Sequence, residues 1–528
     1  MSQYEWPDHA TQPLIGKRIS RLDGPAKSSG RAKYTYDYNP DGLLAGNMVR
    51  CPYAHARITS IDTSAAEKMP GVKAVEVIQK PGTEIFWAGD EIVGVAAVDE
   101  SAAEDAVRAI KVQYEVLPHF VSDAEPPKNI APTTGPISQD DFQSLEENQV
   151  PDEEVIAAIK HRGISFTPDE KWMKAMEGEG VDPKVTAALK TAKVLPPSAE
   201  KSPYKRTAQQ KQGDPDKAFT SAAATHEGLY GIPCIVHCCL ETHGSASEWS
   251  GNDLTVHIST QNLSGIAAQM AEPLNTPAAS IRVLQQNIGG GFGSKFAADR
   301  WDVIAAKLSK SAGGKPVKMM LSREEEFQVA GMRPSAFARV KIAADKSGKL
   351  VAWQSNSWGT GGMGGGGTPP IPYIFDVPNQ RKQHTAISTN QGSARAWRAP
   401  NHPQAAVITM CPFEDLAAKL NMDPAAMLRA NMDILGPRAK VYAEELDIAE
   451  QLMGWKQNWH PRGDKTAGPV KHGLGLSIHT WGGRGHNSDQ DLSINPDGSV
   501  DLKVGSQDLG TGTRTIIAIV IADTIGIP

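Results

Sequence analysis

Two hydrophobic periodicities alternate along the chain and divide it before any motif is considered. From about Ile15 to Val121, the stretches GNMVRCPYAHARITSIDT and GVKAVEVIQ carry strand-like runs, whereas ESAAEDAVRAIKVQYEV reads as a helix entered from Asp99 and Glu100 and leaving into a strand. This predicts a compact α/β unit of about 100 residues. Between Asp123 and Lys205 the pattern changes. Pro126-Pro127, a Thr-Thr-Gly-Pro turn at 133–136 and Pro196-Pro197 bracket three short amphipathic helices, marked by Val155, Ile156 and Ile159, then Trp172, Met173 and Met176, then Val185 and Leu189. Thr167-Pro168-Asp169-Glu170 has capping-box spacing with proline at the first helical position, so Thr167 is the expected N-cap. This module either packs on itself or offers a surface to a partner. From Thr207 onward strands and helices alternate as in a large α+β domain, with no internal repeat. The expected segments are 14–124, an α/β domain; 125–205, a helical insertion; and 206–528, the large domain.

Composition narrows the classes. A chain of 528 residues with 40% hydrophobic and 22% charged residues is an ordinary globular chain able to bury large cores. A formal charge of −6 and a pI near 6.2 give no general basic field for nucleic acid. The sequence MSQYEWPDHATQPLIGKR has no apolar secretory core, and no apolar run reaches the ~18 residues of a membrane span. Five cysteines suggest a reducing compartment, so a cytoplasmic location is expected, or a periplasmic one only by export with a partner.

Four stretches then compete for the chemistry. NIGGGFGSKF, at 287–296, follows an apolar strand and leads toward the helix AADRWDVIAAKLS, which predicts backbone N–H groups gathered at a helix N-terminus for an anion. It fails the dinucleotide template because Ser294 stands where the last glycine is needed, and the P-loop template because Ser294 precedes Lys295 and Phe296 follows. CIVHCCLETH, at 234–243, packs Cys234, His237, Cys238, Cys239 and His243 together. Its strand-like alternation would turn Cys238 and Cys239 to opposite faces, so buried strand cysteines are expected rather than a zinc site. NQGSARAWRAPNHPQ, at 390–404, sets Arg395 and Arg398 around Trp397, suited to anion recognition or to a surface salt bridge. GSQDLGTGTRT, at 505–515, is a second glycine turn entering an apolar helix. The run GTGGMGGGGTPPIPY, at 359–373, has too much conformational entropy to order alone and is expected to be mobile or held by a ligand or partner.

In chain order, LETH, STQN, VLQQNIGGGFGSKF, SREEEF, ARAWRAPNHPQA and SQDLGTGTRT resemble the molybdenum-binding subunit of the xanthine dehydrogenase/aldehyde oxidase family, closest to its aldehyde-oxidase-like bacterial members. IGKRISRLDGPAKSSGRAKYTYD and CPYAHARITSIDTSAAEKMPGV are similar to that subunit's N-terminal hammerhead domain. The resemblance implies an α+β protein: an α/β hammerhead domain, then a large molybdopterin-binding α+β domain, with the helical module inserted. It implies molybdenum held by molybdopterin or its cytosine dinucleotide form, with no direct protein ligand to the metal, and hydroxylation with water as the oxygen source. It assigns Gln261 to the metal's apical oxo group and Gly290, Gly291, Phe292 and Gly293 to the backbone seat. Arg398 falls to negative charge developing on substrate oxygen, and Gly510, Thr511, Gly512 and Thr513 to the pterin or its phosphate. Phe296, Trp397 and Arg333 are the expected substrate-pocket residues.

Departures refine these expectations. Purine-oxidising members carry an acidic residue where this chain has Phe296, so an aldehyde or an aromatic N-heterocycle is the expected substrate. Residues 390–404 contain no cysteine, so the binuclear copper site of carbon monoxide dehydrogenases is not expected. The family's catalytic glutamate is expected beyond this chain's last residue, on a C-terminal part or a complementary chain. Glu241 matches a structural family position, and residues 324–326 read as a solvated helix start. No cysteine spacing for [2Fe–2S] clusters and no FAD fingerprint occur, so those cofactors are expected on partner subunits. The alternative to a hydroxylase subunit is a truncated or split scaffold that binds cofactor or partners without turnover.

Overall fold

A computed structural model describes residues 11–130, 135–147, 152–178, 180–197, 202–463, 468–481 and 490–527. The chain forms two compact units, one from residues 1–118, 236–331 and 487–528 and the other from 119–235 and 332–486.

The first unit is built on a seven-stranded mixed sheet in the order Ile281–Leu284, Asp253–Ile258, Gly244–Ser250, Val317–Met320, Leu44–Arg50, Glu91–Ala97, Val72–Val77. Alternation in Asp253–Ile258 turns Leu254, Val256 and Ile258 inward. Glu91–Ala97 reads EIVGVAA and is buried along its whole length, as a central strand covered on both faces requires. Its Gly94 lets a helix come close, since a Cβ there would sit 2.5 Å from Ile304 Cγ2 of the helix Arg300–Ser311. A three-stranded sheet, Glu84–Ile85, Ala56–Asp62 and Lys111–Val116, accompanies the helix Glu100–Ala109. As the sequence predicted, Asp99 caps that helix by accepting from Ala102 N–H at 2.8 Å.

The second unit centres on the strands Tyr204–Arg206, Gln380–Ile387, Leu350–Thr360, Ala336–Ala344 and Ala224–Ile232, paired in that order. The helix His402–Lys419 packs on this sheet, and Val340, Ile342, Trp353, Ile408, Phe413 and Leu416 form the core between them. Within the same unit the inserted module has a core of its own, containing Ile137, Phe142, Val155, Ile159, Val185 and Leu189. The three expected helices form at Asp152–Arg162, Glu170–Gly178 and Pro183–Lys190, joined by a fourth at Gln139–Glu147. The middle cap differs from expectation: Asp169, not Thr167, accepts the N–H of Trp172, at 2.7 Å. An aspartate directly before the first turn reaches the third amide without the detour that Thr167 would need across Pro168. Thr133 and Thr134 of the predicted turn lie outside the described residues.

The glycine run at 359–373 is held by the chain itself. Gly361 C=O accepts from Ala394 N–H at 2.7 Å, Gly362 C=O from Thr389 N–H at 3.0 Å, and Gln391 C=O from Met363 N–H at 3.1 Å. Glycine is needed for this contact: Gly362 has φ +79°, and a Cβ there would lie 2.2 Å from Gly392 C=O.

Candidate functional site

In the first unit, the strand Ile281–Leu284 runs into the loop 287–296, and the turn 259–263 meets that loop side-on. Gln261 makes the junction. Its backbone N–H donates to Lys295 C=O at 2.7 Å, and its Oε1 accepts from Gly293 N–H at 2.8 Å and Lys295 N–H at 3.3 Å. A Cβ at Gly291 would fall 2.3 Å from that same Oε1, so the glycine makes room for the carboxamide. The other end of the carboxamide, Nε2, has no hydrogen-bond acceptor among the described residues. Phe292 holds φ +53°, a conformation that costs a bulky residue about 1–3 kcal/mol, and its ring is 45% exposed. Phe296 is likewise half-exposed, and its carbonyl accepts from Asn262 Nδ2 at 3.1 Å.

The loop amides are not those of a helix N-terminus, as the sequence suggested. The helix begins only at Arg300 and satisfies its own first turn through an Asp299–Asp302 capping box. The loop rests instead on a buried polar floor. Lys295 is 1% exposed, and its Nζ donates to Glu241 C=O at 2.7 Å, Thr242 C=O at 3.3 Å and Ser259 Oγ at 2.7 Å. Burial pushes its ammonium down from the ordinary range, with Cys239, Glu241 and Glu326 acting in the opposite direction. Glu241 Oε2 accepts from Gly289 N–H at 2.7 Å and from Ser259 Oγ at 2.8 Å, which anchors the start of the loop.

Glu326 also belongs to this floor, contrary to its reading as part of a solvated helix start. It is buried and accepts from His243 N–H at 2.7 Å and from the His243 ring at 2.9 Å. Burial alone would raise its pKa, but the His243 hydrogen bonds more than offset this and hold it below the ordinary value. Ser322 and Glu325 form the capping box, and one residue further the helix has turned inward by about 100°, toward the side of buried Ala330. The four-residue spacing from Glu326 to Ala330 was the signal in the sequence.

CIVHCCLETH is also corrected in part. The strand stops at Val236; Cys238 is exposed with φ +50°, and only Cys239 of the adjacent pair is buried. The cysteines are free, and among the described residues no group of three His, Cys, Asp or Glu side chains is arranged to hold a metal ion.

The stretch 505–515 joins the turn 259–263 and the approach to the loop 287–296 through Gln507, which spacing alone did not mark. Its Oε1 accepts from Leu263 N–H at 2.9 Å, and its Nε2 donates to Thr260 C=O and Gln285 Oε1, both at 2.9 Å. Arg514 adds a bond to Gln286 C=O at 2.8 Å. The structure thus brings Gln261 and residues 291–295 together, and ties Gln507 and Arg514, on either side of 510–513, to the segments 260–263 and 285–286 that lead into them. The second glycine turn, however, already holds an anion. Asp508 accepts from Gly510 N–H at 2.9 Å, Gly512 N–H at 3.1 Å and Arg514 N–H at 3.3 Å, ahead of the helix Thr513–Ile525. Partial burial would raise the pKa of Asp508, but these donors win and lower it. The hydroxyls of Thr511 and Thr513 lie 3.3 Å apart on the exposed side of the turn.

Arg398, Trp397 and Arg333 belong to the second unit. The Arg398 guanidinium is exposed and has no partner among the described residues. Arg333 is 5% exposed and is bound to the backbone of the same turn: Nη2 donates to Arg398 C=O at 2.9 Å and Nη1 to Ala399 C=O at 3.2 Å. Its guanidinium also lies over the Trp397 ring at 5.1 Å. Nearby, His402 Nδ1 meets Tyr373 OH at 2.7 Å and presents its ring to Trp481, with centroids 5.1 Å apart.

Residues 29–80 match the aldehyde oxidase and xanthine dehydrogenase a/b hammerhead domain, and residues 198–432 and 448–528 each match a molybdopterin cofactor-binding domain. The chain is similar to an aldehyde oxidoreductase molybdenum-binding subunit of Escherichia coli, 26% identical over 98% of this chain and 64% of the relative. It is also similar to a xanthine dehydrogenase molybdenum-binding subunit of the same species, 24% identical over 96% of this chain and 65% of the relative. The chain therefore spans less than two thirds of these relatives' length. Its fold matches quinoline 2-oxidoreductase from Pseudomonas putida with a TM-score of 0.70 at 20% identity, covering 98% of this chain and 66% of that one. No helix among the described residues is long and apolar enough to cross a membrane. With the hammerhead and both cofactor-binding domains matched in order, the chain belongs to the aldehyde oxidase and xanthine dehydrogenase family.

Proposed function

We propose that this chain is the cofactor-carrying part of a molybdenum hydroxylase that oxidises an aldehyde or an aromatic N-heterocycle with water as oxygen source and passes the electrons to iron–sulfur and flavin partner subunits. The observation that carries this reading is Gln261: its Oε1 is fixed by two loop amides, and its Nε2, beside a glycine-lined cradle, has no acceptor among the described residues. A neutral donor held in that way suits an oxygen of a bound oxo-metal cofactor whose metal is carried by its own pterin. When bound, the molybdenum cofactor supplies two-electron redox chemistry and a Lewis-acidic centre.

The residues then divide the work. Gln261 and the backbone of 290–293 hold the metal end, and the hydroxyls of Thr511 and Thr513 supply pterin contacts, since Asp508 occupies the amides of Gly510 and Gly512. Arg398, a cation with no carboxylate partner among the described residues, stabilises negative charge on substrate oxygen. Phe296 and Trp397 give the substrate apolar and aromatic contacts. Glu241 and Glu326 are committed to buried hydrogen bonds, so neither serves as the general base.

Metal analysis of the purified complex tests this reading: stoichiometric molybdenum together with iron is expected, and a molybdenum-free protein refutes it. Turnover of aromatic aldehydes and N-heterocycles with an artificial electron acceptor narrows the substrate, and rapid purine oxidation would overturn the use of Phe296.

A further inference from the structure

We infer that Arg333 is a positioning residue: it pins the backbone of the turn 397–401 so that the Arg398 guanidinium is fixed for substrate, and it does not contact substrate itself. The inference rests on the proposed role of Arg398. A buried guanidinium normally has a carboxylate beside it, yet Arg333 has no acidic partner among the described residues. Its donors go to Arg398 C=O, Ala399 C=O and, at 3.4 Å, Gln404 Oε1. Burial lowers its pKa to about 10, so it stays charged at neutral pH. A cation kept in that setting solves a local problem. Ala399 and Asn401 both adopt left-handed backbone, with φ +60° and +61°, which non-glycine residues hold only when surrounding contacts impose it.

Two further contacts make the clamp specific to arginine. The guanidinium lies over the Trp397 ring, and the buried Gln404 is itself fixed by Nε2 donation to Pro334 C=O and Asn401 Oδ1, both at 3.1 Å. One planar fork therefore ties together the residues on either side of Arg398. A lysine, as a point charge, cannot bridge two carbonyls in a plane and stack on an indole at once.

The test uses the holoprotein in its complex, with Arg333→Met, Arg333→Lys, Arg398→Met and the Arg333/Arg398 double variant. A displaced Arg398 should cost roughly 100-fold in kcat. Arg333→Met is expected to show this loss with KM and molybdenum content near wild type, and Arg333→Lys to recover only part of it. The double variant should be no slower than Arg398→Met alone, because Arg333 acts through Arg398. Amide exchange over 397–401 should quicken in Arg333→Met but not in Arg398→Met. Losses that multiply in the double variant, unchanged exchange in Arg333→Met, or loss of molybdenum from it would each overturn the inference. A wild-type complex that holds molybdenum yet oxidises no aldehyde or heterocycle would instead overturn the reading of function, and the exchange result would still judge the clamp.

Discussion

Residues 289–293 and 510–512 are both glycine-rich turns that precede a helix in the same unit, yet their backbone donors have different occupants. In the first turn the Glu241 carboxylate takes only the amide of Gly289 at its start, and the acceptor for Gly293 and Lys295 is a neutral carboxamide, Gln261 Oε1, whose other end carries a donor with no acceptor among the described residues. In the second it is the carboxylate of Asp508, which takes three amides and offers no donor in return. The glycines differ to match. A Cβ at Gly291 would strike Gln261 at 2.3 Å, whereas a Cβ at Gly510 would meet nothing within 4 Å, and that glycine is required only for its φ of +98°. One turn is shaped by close approach around a spare donor; the other is shaped by conformation around an internal anion. Glycine content alone does not make an anion seat.

The sharpest way to break this contrast is Gln261→Glu. The carboxylate keeps an acceptor for Gly293 and Lys295 N–H but removes the Nε2 donor, so fold and stability should persist. Loss of one preorganised donor predicts a fall in kcat of about 100- to 1,000-fold. Activity within a few-fold of wild type would mean that the spare donor has no role.

A pair of alanine substitutions probes the glycines themselves. Gly291→Ala should force Gln261 off the loop and weaken cofactor retention by about 10- to 100-fold, read as molybdenum per protein after dialysis. Gly510→Ala should retain molybdenum and lose about 1–2 kcal/mol of stability from its left-handed backbone, read by denaturant unfolding. If the two variants lost molybdenum equally, the turns would be equivalent and the distinction drawn from their geometry would fail.

The floor under the first turn gives a pH-dependent test. The Glu326 pKa lies below its ordinary value of 4.5 in the folded protein, so its ionised form stabilises the fold. That contribution is fully present above the ordinary value and is lost as pH falls through the depressed one. Glu326→Gln should cost about 1.5–3 kcal/mol at pH 7, and the gap to wild type should close on acidification. A gap that stays constant down to pH 3 would show that Glu326 is not the ionised partner of His243.

How much of this was legible in the sequence depends on the range of the interaction. The helix entry at Asp99 and Glu100 and the three inserted helices were readable because each is fixed within a few residues. The motif order pointed to Gln261 and Arg398, but not to what holds them. Gln507 reaches Thr260 and Gln285, and Arg333 reaches Arg398, across separations that no local pattern encodes. Glu326 was misread because the exposed Glu324 and the capping Glu325 beside it mask a single inward position. The glycine run at 359–373 was misread because the segment that holds it, 389–394, lies in a different motif. Asp508 stood in plain view within GSQDLGTGTRT, but a glycine pattern says where donors gather, not which acid fills them.

Asp508 therefore carries the smallest and most discriminating prediction. Its carboxylate does for the helix Thr513–Ile525 what an N-cap side chain does, satisfying amides that would otherwise be orphaned at the positive end of the helix dipole. Asp508→Ala should cost about 0.5–2 kcal/mol of stability, and Asp508→Asn, which keeps an acceptor oxygen, less. The freed amides of Gly510 and Gly512 would then be open to an external anion. Added phosphate should raise the melting temperature of Asp508→Ala more than that of wild type, because only in the variant does binding replace a missing internal charge. Equal shifts in the two proteins would mean that Asp508 does not block the seat and that the pterin phosphate can use those amides directly. A larger shift in the variant would leave Thr511 and Thr513 as the contacts available in the native turn.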